Sequence, residues 1–397
     1  MTVVRVDDLM LSDESGFACS KTKLVEEGLP HLRPFNITND GRLELSQVYQ
    51  VPAVEAPPSK RGLLPGDVLF NNTNSVELVG KATIVREPMI AGFSNHLTRI
   101  RVDAKRVEPE YFALWLRRLR STGIFTSQAT QWVSQAAFRT AELRRLEIDL
   151  PGLEEQRRIV DLLARAEGIV RLRREAQQRA DELIPAIFID MFGEPATNPR
   201  GWPIRPLSEV AEVISGVAKG RKFADGEEVE VPYMRVANVK DGYLDLSEVK
   251  SIEIKRSEVE KLLIRPGDLL MTEGGDPDKL GRAALWSGEL EGCVHQNHVF
   301  KVRANRARVL PMYLRSLAGS AYGKAYFLSV AKKTTGIASI NKTQLSAFPV
   351  LLPPLEHQAQ FDERARAVEA ISRRQADAQA KTSAVFAALL ARSFRDA

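Results

Sequence analysis

The chain has 397 residues, of which 44% are hydrophobic and 27% charged, with a formal net charge of +5 at pH 7. That length asks for more than one domain, and that composition excludes a disordered polymer. No apolar run approaches the roughly 20 residues that cross a bilayer, and two cysteines, Cys19 and Cys293, make no disulfide scaffold. Met1–Met10 carries Asp7 and Asp8 and no apolar signal core, so a reducing cytoplasm is the expected location. The positive excess is small. It permits nucleic acid as a partner where basic groups cluster, without arguing for it.

Taken in order, the elements come twice. Leu29-Pro30-His31-Leu32-Arg33 stands 202 positions before Val231-Pro232-Tyr233-Met234-Arg235, and Asn36 stands 202 before Asn238. Asp40-Gly41 and Asp241-Gly242 are hairpin-type dipeptides. Leu64-Pro65-Gly66-Asp67 and Arg265-Pro266-Gly267-Asp268 are tight turns, each delivering the chain into an apolar strand. Gly80-Lys81-Ala82 matches Gly281-Arg282-Ala283. After one inserted residue, Asn95-His96 matches Asn297-His298. Thr98–Val102 and Val299–Val302 alternate as half-buried strands, and helices open at Pro109 and Pro311. An internal period of this kind decides the fold before any single element does. Each copy is a mixed domain, strand-rich early and helical late.

Each copy closes on a related stretch, Leu150-Pro151-Gly152-Leu153-Glu154-Glu155-Gln156 and Leu352-Pro353-Pro354-Leu355-Glu356-His357-Gln358, followed by a long helix. In the first helix, from about Leu153 to Phe188, apolar residues fall at Ile159, Leu163, Ala166, Ile169/Val170, Ala176, Ala180, Leu183 and Ile187, mostly at threes and fours. In the second, ending near Phe394, the series is Phe361, Ala365, Val368, Ile371, Val385 and Leu389. These series predict an antiparallel partner-helix seam, with Pro185 kinking or ending the first helix. The Gly- and Pro-rich run from Gly193 to Trp202 marks a linker. The expected architecture is α+β: two pseudo-repeated domains, 1–150 and 203–352, joined by two long antiparallel helices, 151–192 and 353–397, as a coiled coil.

The motifs of common catalytic sites are missing. There is no Gly-x-x-x-x-Gly-Lys-Ser/Thr phosphate loop, no Gly-x-Gly-x-x-Gly turn after a strand, and no Asn/Asp-Pro-Pro-aromatic tetrapeptide. Cys293-x-His295-x-x-His298 is the one metal-like cluster, and it reads better as polar residues on a strand and loop, because a metal needs three or four ligands held together. The chain is therefore expected to hold no metal and no catalytic residue. Polar loops that differ between the copies are the recognition candidates. Asn72 and Asn74 stand where the second copy has Glu273-Gly274-Gly275. The Asn-His pairs, with Gln296 before the second, either bond a turn or face a ligand. Arg33 and Arg235, ahead of Asn36 and Asn238, pair either with carboxylates of the fold or bidentately with phosphate. Lys81, Lys279 and Arg282 flank the glycine-rich turns. Ser134 and Gln135 in one copy, and Lys332, Lys333, Thr334 and Thr335 in the other, lie in polar loops before the last strand, suited either to solvent or to phosphate and base edges.

The two closing stretches, the paired Pro-Gly-Asp turns and Ile340-Asn341-Lys342 before the last strand together resemble one family, the specificity subunits of type I restriction–modification enzymes. The resemblance covers nearly the whole chain. It implies that each copy is a target-recognition domain reading one half of a split double-stranded DNA site, and that the helices are spacers which set the distance and dock two methyltransferase subunits. It further implies restriction–translocase subunits as partners. S-adenosylmethionine would then belong to the methyltransferase, ATP and Mg to the restriction subunit, and no cofactor to this chain. The first copy departs from the pattern at Gly152 and at Ala137-Phe138-Arg139, opposite Ser339-Ile340-Asn341. A helix over 154–188 is about 52 Å long at ~1.5 Å per residue, and half-sites one DNA turn apart lie about 34–36 Å from each other. That length suits a ruler. A self-sufficient nuclease or methyltransferase and a DNA-free scaffold are the competing readings. Turnover with magnesium and S-adenosylmethionine would mark the first, and the absence of a gel shift the second.

Overall fold

The computed structural model describes residues 2–132, 135–220, 226–276, 279–334 and 336–394. The chain divides into two compact units, Met1–Arg174 with Asp377–Ala397, and Glu175–Ala376. Each has one plan. In the first unit a four-stranded antiparallel sheet runs in the order Met10–Ser15, Leu97–Val102, Val68–Asn71, Ala82–Ile84. In the second the order is Ala211–Ser215, Val299–Ala304, Leu269–Thr272, Ala283–Leu285. The central strands are buried on both faces, which is why they read as unbroken apolar runs rather than alternations. Val68 and Phe70 face the larger core with the helix Pro109–Thr122, while Leu69 faces a smaller one with Phe93 and Leu97. Leu269, Met271 and Leu270 divide in the same way.

A second sheet pairs Tyr49–Val51, Leu29–Leu32 and Gly92–Phe93, matched by Lys250–Lys255, Glu228–Met234 and Val294–His295. In both, the last pair is parallel. A third sheet joins the hairpin Thr130–Gln131 and Ala136–Ala137 to Thr73–Asn74. It is matched by Lys332–Thr334, Ile337–Ser339 and Gly274–Gly275. Two-stranded pairs tie residues Thr2–Arg5 to Glu147–Leu150, and Ile204–Pro206 to Pro349–Leu351.

The motifs legible in the sequence hold this frame together. Asp67 is buried. It accepts from Arg101 through both carboxylate oxygens at 2.6 and 3.1 Å and from the Leu64 N–H at 2.9 Å, closing the Pro-Gly-Asp turn. Asp268 does the same with Arg303, at 2.7 and 2.6 Å, and with the Arg265 N–H at 2.7 Å. Such two-pronged, charge-assisted bonds fix geometry as well as energy. Gly80 and Gly281 adopt φ of +83° and +66°, and a Cβ on either would strike the ring of Phe125 or Phe327. Only glycine meets both demands.

The long helices are Leu153–Phe192 and Leu355–Ser393. In the first unit Ile159 and Leu163, from the start of one helix, share a core with Leu390 near the end of the other and with Phe394 just beyond it, whose ring lies 4.8 Å from that of Tyr111. In the second unit Phe188 and Phe192 pack with Phe361 and Ala365 around Tyr313, at ring distances of 5.4 and 4.8 Å from Tyr313. Within each unit, the start of one helix thus meets the end of the other. The first helix continues through Pro185 instead of stopping at Phe188. An interior proline costs about 3 kcal/mol, and burying Phe188 and Phe192 returns about 1.5–3 kcal/mol each. Leu183, Ile371 and Val385 leave the expected seam: all three are exposed, whereas their neighbours Ile184, Ser372 and Phe386 are partly buried. A straight helix drifts by about 20° per heptad, and the aromatic anchors near its ends set the phase. Ala166, Val170, Ile187 and Leu389 are half-buried, and Val368 is buried.

Gln156 and Gln358 are fully buried where each long helix begins. Gln156 Oε1 accepts from the Glu108 N–H at 2.8 Å, and its Nε2 donates to the carbonyls of Arg106 and Pro151 at 3.1 and 2.8 Å. Gln358 accepts from the Leu310 N–H at 2.8 Å and donates to Arg308 and Pro353 at 3.4 and 2.8 Å. The partners are the N-terminal ends of the domain helices Pro109–Thr122 and Pro311–Gly319, whose free N–H groups need acceptors. Gln358→Ala leaves three buried groups unpaired and is expected to cost about 3 kcal/mol. The exposed neighbour Glu356→Ala is expected to cost under about 0.5 kcal/mol. Denaturant unfolding of both variants checks this, and equal effects would contradict it.

His295 is buried at the place the first unit gives to Phe93. Its Nδ1 lies 2.6 Å from the Val299 carbonyl, and its Nε2 has no partner among the described residues. Burial lowers its pKa to about 4, against the pull of that carbonyl. The folded chain therefore holds this ring neutral where the unfolded chain protonates it. The stability is whole above about pH 6.5 and is lost as pH falls from there towards 4. His295→Phe should lose about 2 kcal/mol less between pH 7.5 and pH 5 than the unaltered chain. Parallel pH profiles of unfolding would contradict this.

Candidate nucleic-acid interface

The predicted residues fall into two groups. Arg33, Asn36 and Lys81, with Arg235 and Asn238 in the second unit, belong to the interior architecture. Asn36 Oδ1 accepts from the Arg33 N–H at 2.8 Å, and its Nδ2 donates to the carbonyls of Glu44 and Gln47, each at 2.8 Å. Asn238 repeats this with Arg235, Asp245 and Glu248 at 3.0, 2.8 and 3.0 Å. Both asparagines are buried, so the expectation that they face a ligand is corrected: their amides are spent on a turn. Lys81 is buried too, donating to the carbonyls of Pro34 and Ile37. Desolvation, with Arg120 nearby, lowers its pKa to about 8. Arg33 stacks over the Tyr49 ring at 4.7 Å and donates to the Cys19 carbonyl at 3.1 Å. Arg235 donates to the Glu248 carbonyl at 2.9 Å and pairs with its carboxylate at 3.3 Å. A planar, weakly hydrated cation suits such half-buried posts.

The second group gathers around the third sheet of each unit. The Asn-His turns are superimposable in their bonding. The Asn95 N–H donates to Phe17 at 3.2 Å and the Leu97 N–H to Ser94 at 2.8 Å. The Asn297 N–H donates to Val217 and the Val299 N–H to Gln296, each at 2.9 Å. The backbone thus does the turn's work and leaves Asn95 and His298 exposed, with His96, Gln296 and Asn297 half-exposed. The Asn72 N–H donates to the His96 carbonyl at 3.1 Å, and the Asn72 carbonyl accepts from Phe138 at 2.9 Å. Glu273 makes the same two bonds, with His298 at 3.0 Å and Ile340 at 2.8 Å. Turn, central strand and hairpin therefore meet at one residue in each unit.

Around that crossing the side chains differ. In the first unit Asn72 Nδ2 donates to Thr98 Oγ1 at 2.8 Å and the Asn95 carbonyl at 3.3 Å, while its Oδ1 has no partner among the described residues. Asn74 bonds the Ser75 N–H at 2.8 Å. Gln135 and Trp132 are exposed at the hairpin end, the latter at 59%. In the second unit Lys332 and Lys333 are exposed on the equivalent hairpin with Ile337. Lys279 pairs with Asp276, and Arg282 is half-exposed, its backbone N–H donating to Thr272 Oγ1 at 3.1 Å. Ser134 and Thr335 lie outside the described residues, as does the side chain of Thr334. Sequence reasoning passed over Trp132 and Glu273 as recognition residues. The displacement of 201 that pairs Asn72 with Glu273 was the signal for the latter.

The metal-like triplet does not converge. Cys293 and His295 are buried, burial raising the thiol pKa to about 12, while His298 is exposed and bonded to Glu273. Among the described residues no group of three His, Cys, Asp or Glu is placed to hold a metal ion.

Comparison with known proteins finds likeness over the whole frame. Residues 63–180 match the family model for the type I restriction modification DNA specificity domain. The StySPI specificity subunit of Salmonella potsdam is 22% identical over 94% of this chain and 83% of its own length. Among solved structures, a chain from a study of complex assembly and conformational transition in the type I R-M system has a TM-score of 0.59 at 22% identity, covering 100% of this chain and 97% of that one. The S subunit from M. genitalium has a TM-score of 0.58 at 12% identity, covering 100% and 96%. At those identities the structural likeness speaks to the fold.

Proposed function

The chain belongs to the specificity subunits of type I restriction–modification systems, and from that premise we propose that each of its units reads one half of a split DNA site. Its role is DNA specificity. One observation carries the division of labour: the two units share the backbone bonds of their crossing, and carry unlike side chains there, half-buried Asn72, half-exposed His96 and exposed Gln135 against half-exposed Glu273 and exposed His298, Lys332 and Lys333. Amides, imidazoles and cations on a fixed frame are the vocabulary for base edges and phosphates.

The rest of the reading follows from the family. The chain is a non-catalytic cytoplasmic subunit, and among the described residues no helix is long and apolar enough to cross a membrane. Two methyltransferase subunits dock on the long helices, supported by Leu162, Ile169 and Leu172, which are exposed at spacings of seven and three and form one apolar stripe on the first helix. Those subunits bring S-adenosylmethionine, and restriction–translocase subunits bring ATP and magnesium; this chain binds none of the three. The two long helices set the number of unread base pairs.

Mapping methylated bases in a host that carries this chain with its methyltransferase partner tests the proposal. Two short half-sites separated by unspecified base pairs are expected, and a single contiguous site would overturn it. Lys332→Ala with Lys333→Ala should weaken binding nearly evenly across sequences and reduce the salt slope of log K by about 2. An unchanged slope would remove these lysines from the phosphate contacts.

A further inference from the structure

Glu273 and His298 form a side-chain pair where the first unit has Asn72 and His96. His298 Nδ1 lies 2.6 Å from Glu273 Oε2, with the imidazole more exposed than the carboxylate, at 56% against 28%. An ionised carboxylate only accepts, so Nδ1 carries the proton. In the neutral ring Nε2 is then left as an acceptor. At the equivalent place in the first unit Asn72 stands instead, with its amide N–H turned to Thr98 and the Asn95 carbonyl. The backbone of Glu273 is pinned on both sides, to His298 and to Ile340, so the carboxylate hangs from a fixed point.

We propose that Glu273 is a positioning residue that locks the tautomer of His298, so that the second unit presents a hydrogen-bond acceptor to an exocyclic amino group on a base edge. The target class is adenine N6 or cytosine N4 in the major groove, the two amino groups exposed there. Keto-bearing edges, guanine O6 and thymine O4, are refused because two acceptors meet. The pair thus works as one letter of the half-site, and it acts through the exposed ring rather than through the carboxylate itself. This rests on the DNA-reading role given above.

The test uses the full chain with its methyltransferase partner and duplexes of the mapped site at pH 8. Amino groups are deleted singly, by purine for adenine and pyrimidin-2-one for cytosine. One deletion, in one half-site, should weaken binding roughly fivefold to tenfold, the worth of a single hydrogen bond. Glu273→Gln, whose amide supports either tautomer, should bring the ratio between amino-bearing and keto-bearing pairs at that position close to one. Glu273→Lys, which only donates, forces the proton onto Nε2 and should invert the ratio. The other half-site should keep its preferences in both variants. An unchanged ratio in both variants, or a loss spread evenly over every base, overturns the proposal. So does a scan of the unaltered chain in which no single amino deletion costs more than about twofold, whatever the variants do. A chain that binds all sequences alike would instead defeat the DNA-reading role itself.

Discussion

A buried glutamine at the root of each long helix is the constraint on which the arrangement depends. Gln156 and Gln358 each satisfy three backbone groups, one of them the N–H that opens a domain helix and another the carbonyl just before their own helix. Their bonds fix the direction in which the helix leaves its domain. The strands that carry the candidate interface pack on that same domain helix, through Val68 and Phe70 in one unit and Leu269 and Met271 in the other. Loosening the glutamine would leave both the helix and the loops without a common reference. Buried amides whose hydrogen bonds are all met specify geometry in this way, because any other orientation leaves unpaired groups inside.

What repeats and what varies divide along burial. Asn36 with Asn238, Asp67 with Asp268 and Gln156 with Gln358 keep residue type, partner and position, and all six are buried. Asn72 with Glu273 and Gln135 with Ile337 keep only backbone position, and their side chains reach the surface. Where chemistry varies inside, the task is preserved. Arg99 reaches the carbonyl of Gly62, and the equivalent Lys301 reaches those of Lys261 and Leu263, so a buried cation holds the same loop in each unit. Desolvation lowers the Lys301 pKa to about 8, yet its bonds to carbonyl oxygens persist because an amine still donates. A duplicated frame with unlike outer residues suits two readers for two short sequences.

Much of this was legible in the residues. The displacement of 201 or 202, the Pro-Gly-Asp turns and the closing Glu-x-Gln stretches announced a duplicated α+β chain, because each marks a backbone turn or helix start that physics restricts to few residue types. The directions of side chains were not legible. Asn36, Asn238 and Lys81 are polar and loop-borne, as ligand-facing residues are, yet they point inward. Lys81 finds its acceptors 44 and 47 residues away, and no local pattern reports such contacts. Three residues depart from the expected helix seam for a related reason. Leu183, Ile371 and Val385 obey the spacing of threes and fours, but phase is set by Phe188, Phe361 and Phe394, whose partners lie in the domains. Glu273 is absent from the recognition candidates because an acidic residue in a glycine-rich loop looks like solvent-facing filler until His298 is seen beside it.

The central claim is that the two units are interchangeable frames whose outer residues carry independent information. The hairpins Thr130–Ala137 and Lys332–Ser339 begin and end at equivalent cross-strand pairs, so an exchange of one for the other keeps those pairs in register. The most direct measurement is methylation-site sequencing in a host carrying the partner subunits and this chain with the second hairpin copied into the first unit. The account predicts that one half of the methylated site changes while the other half and the spacing between them stay as they were. A change in both halves together, or none in either, would contradict it.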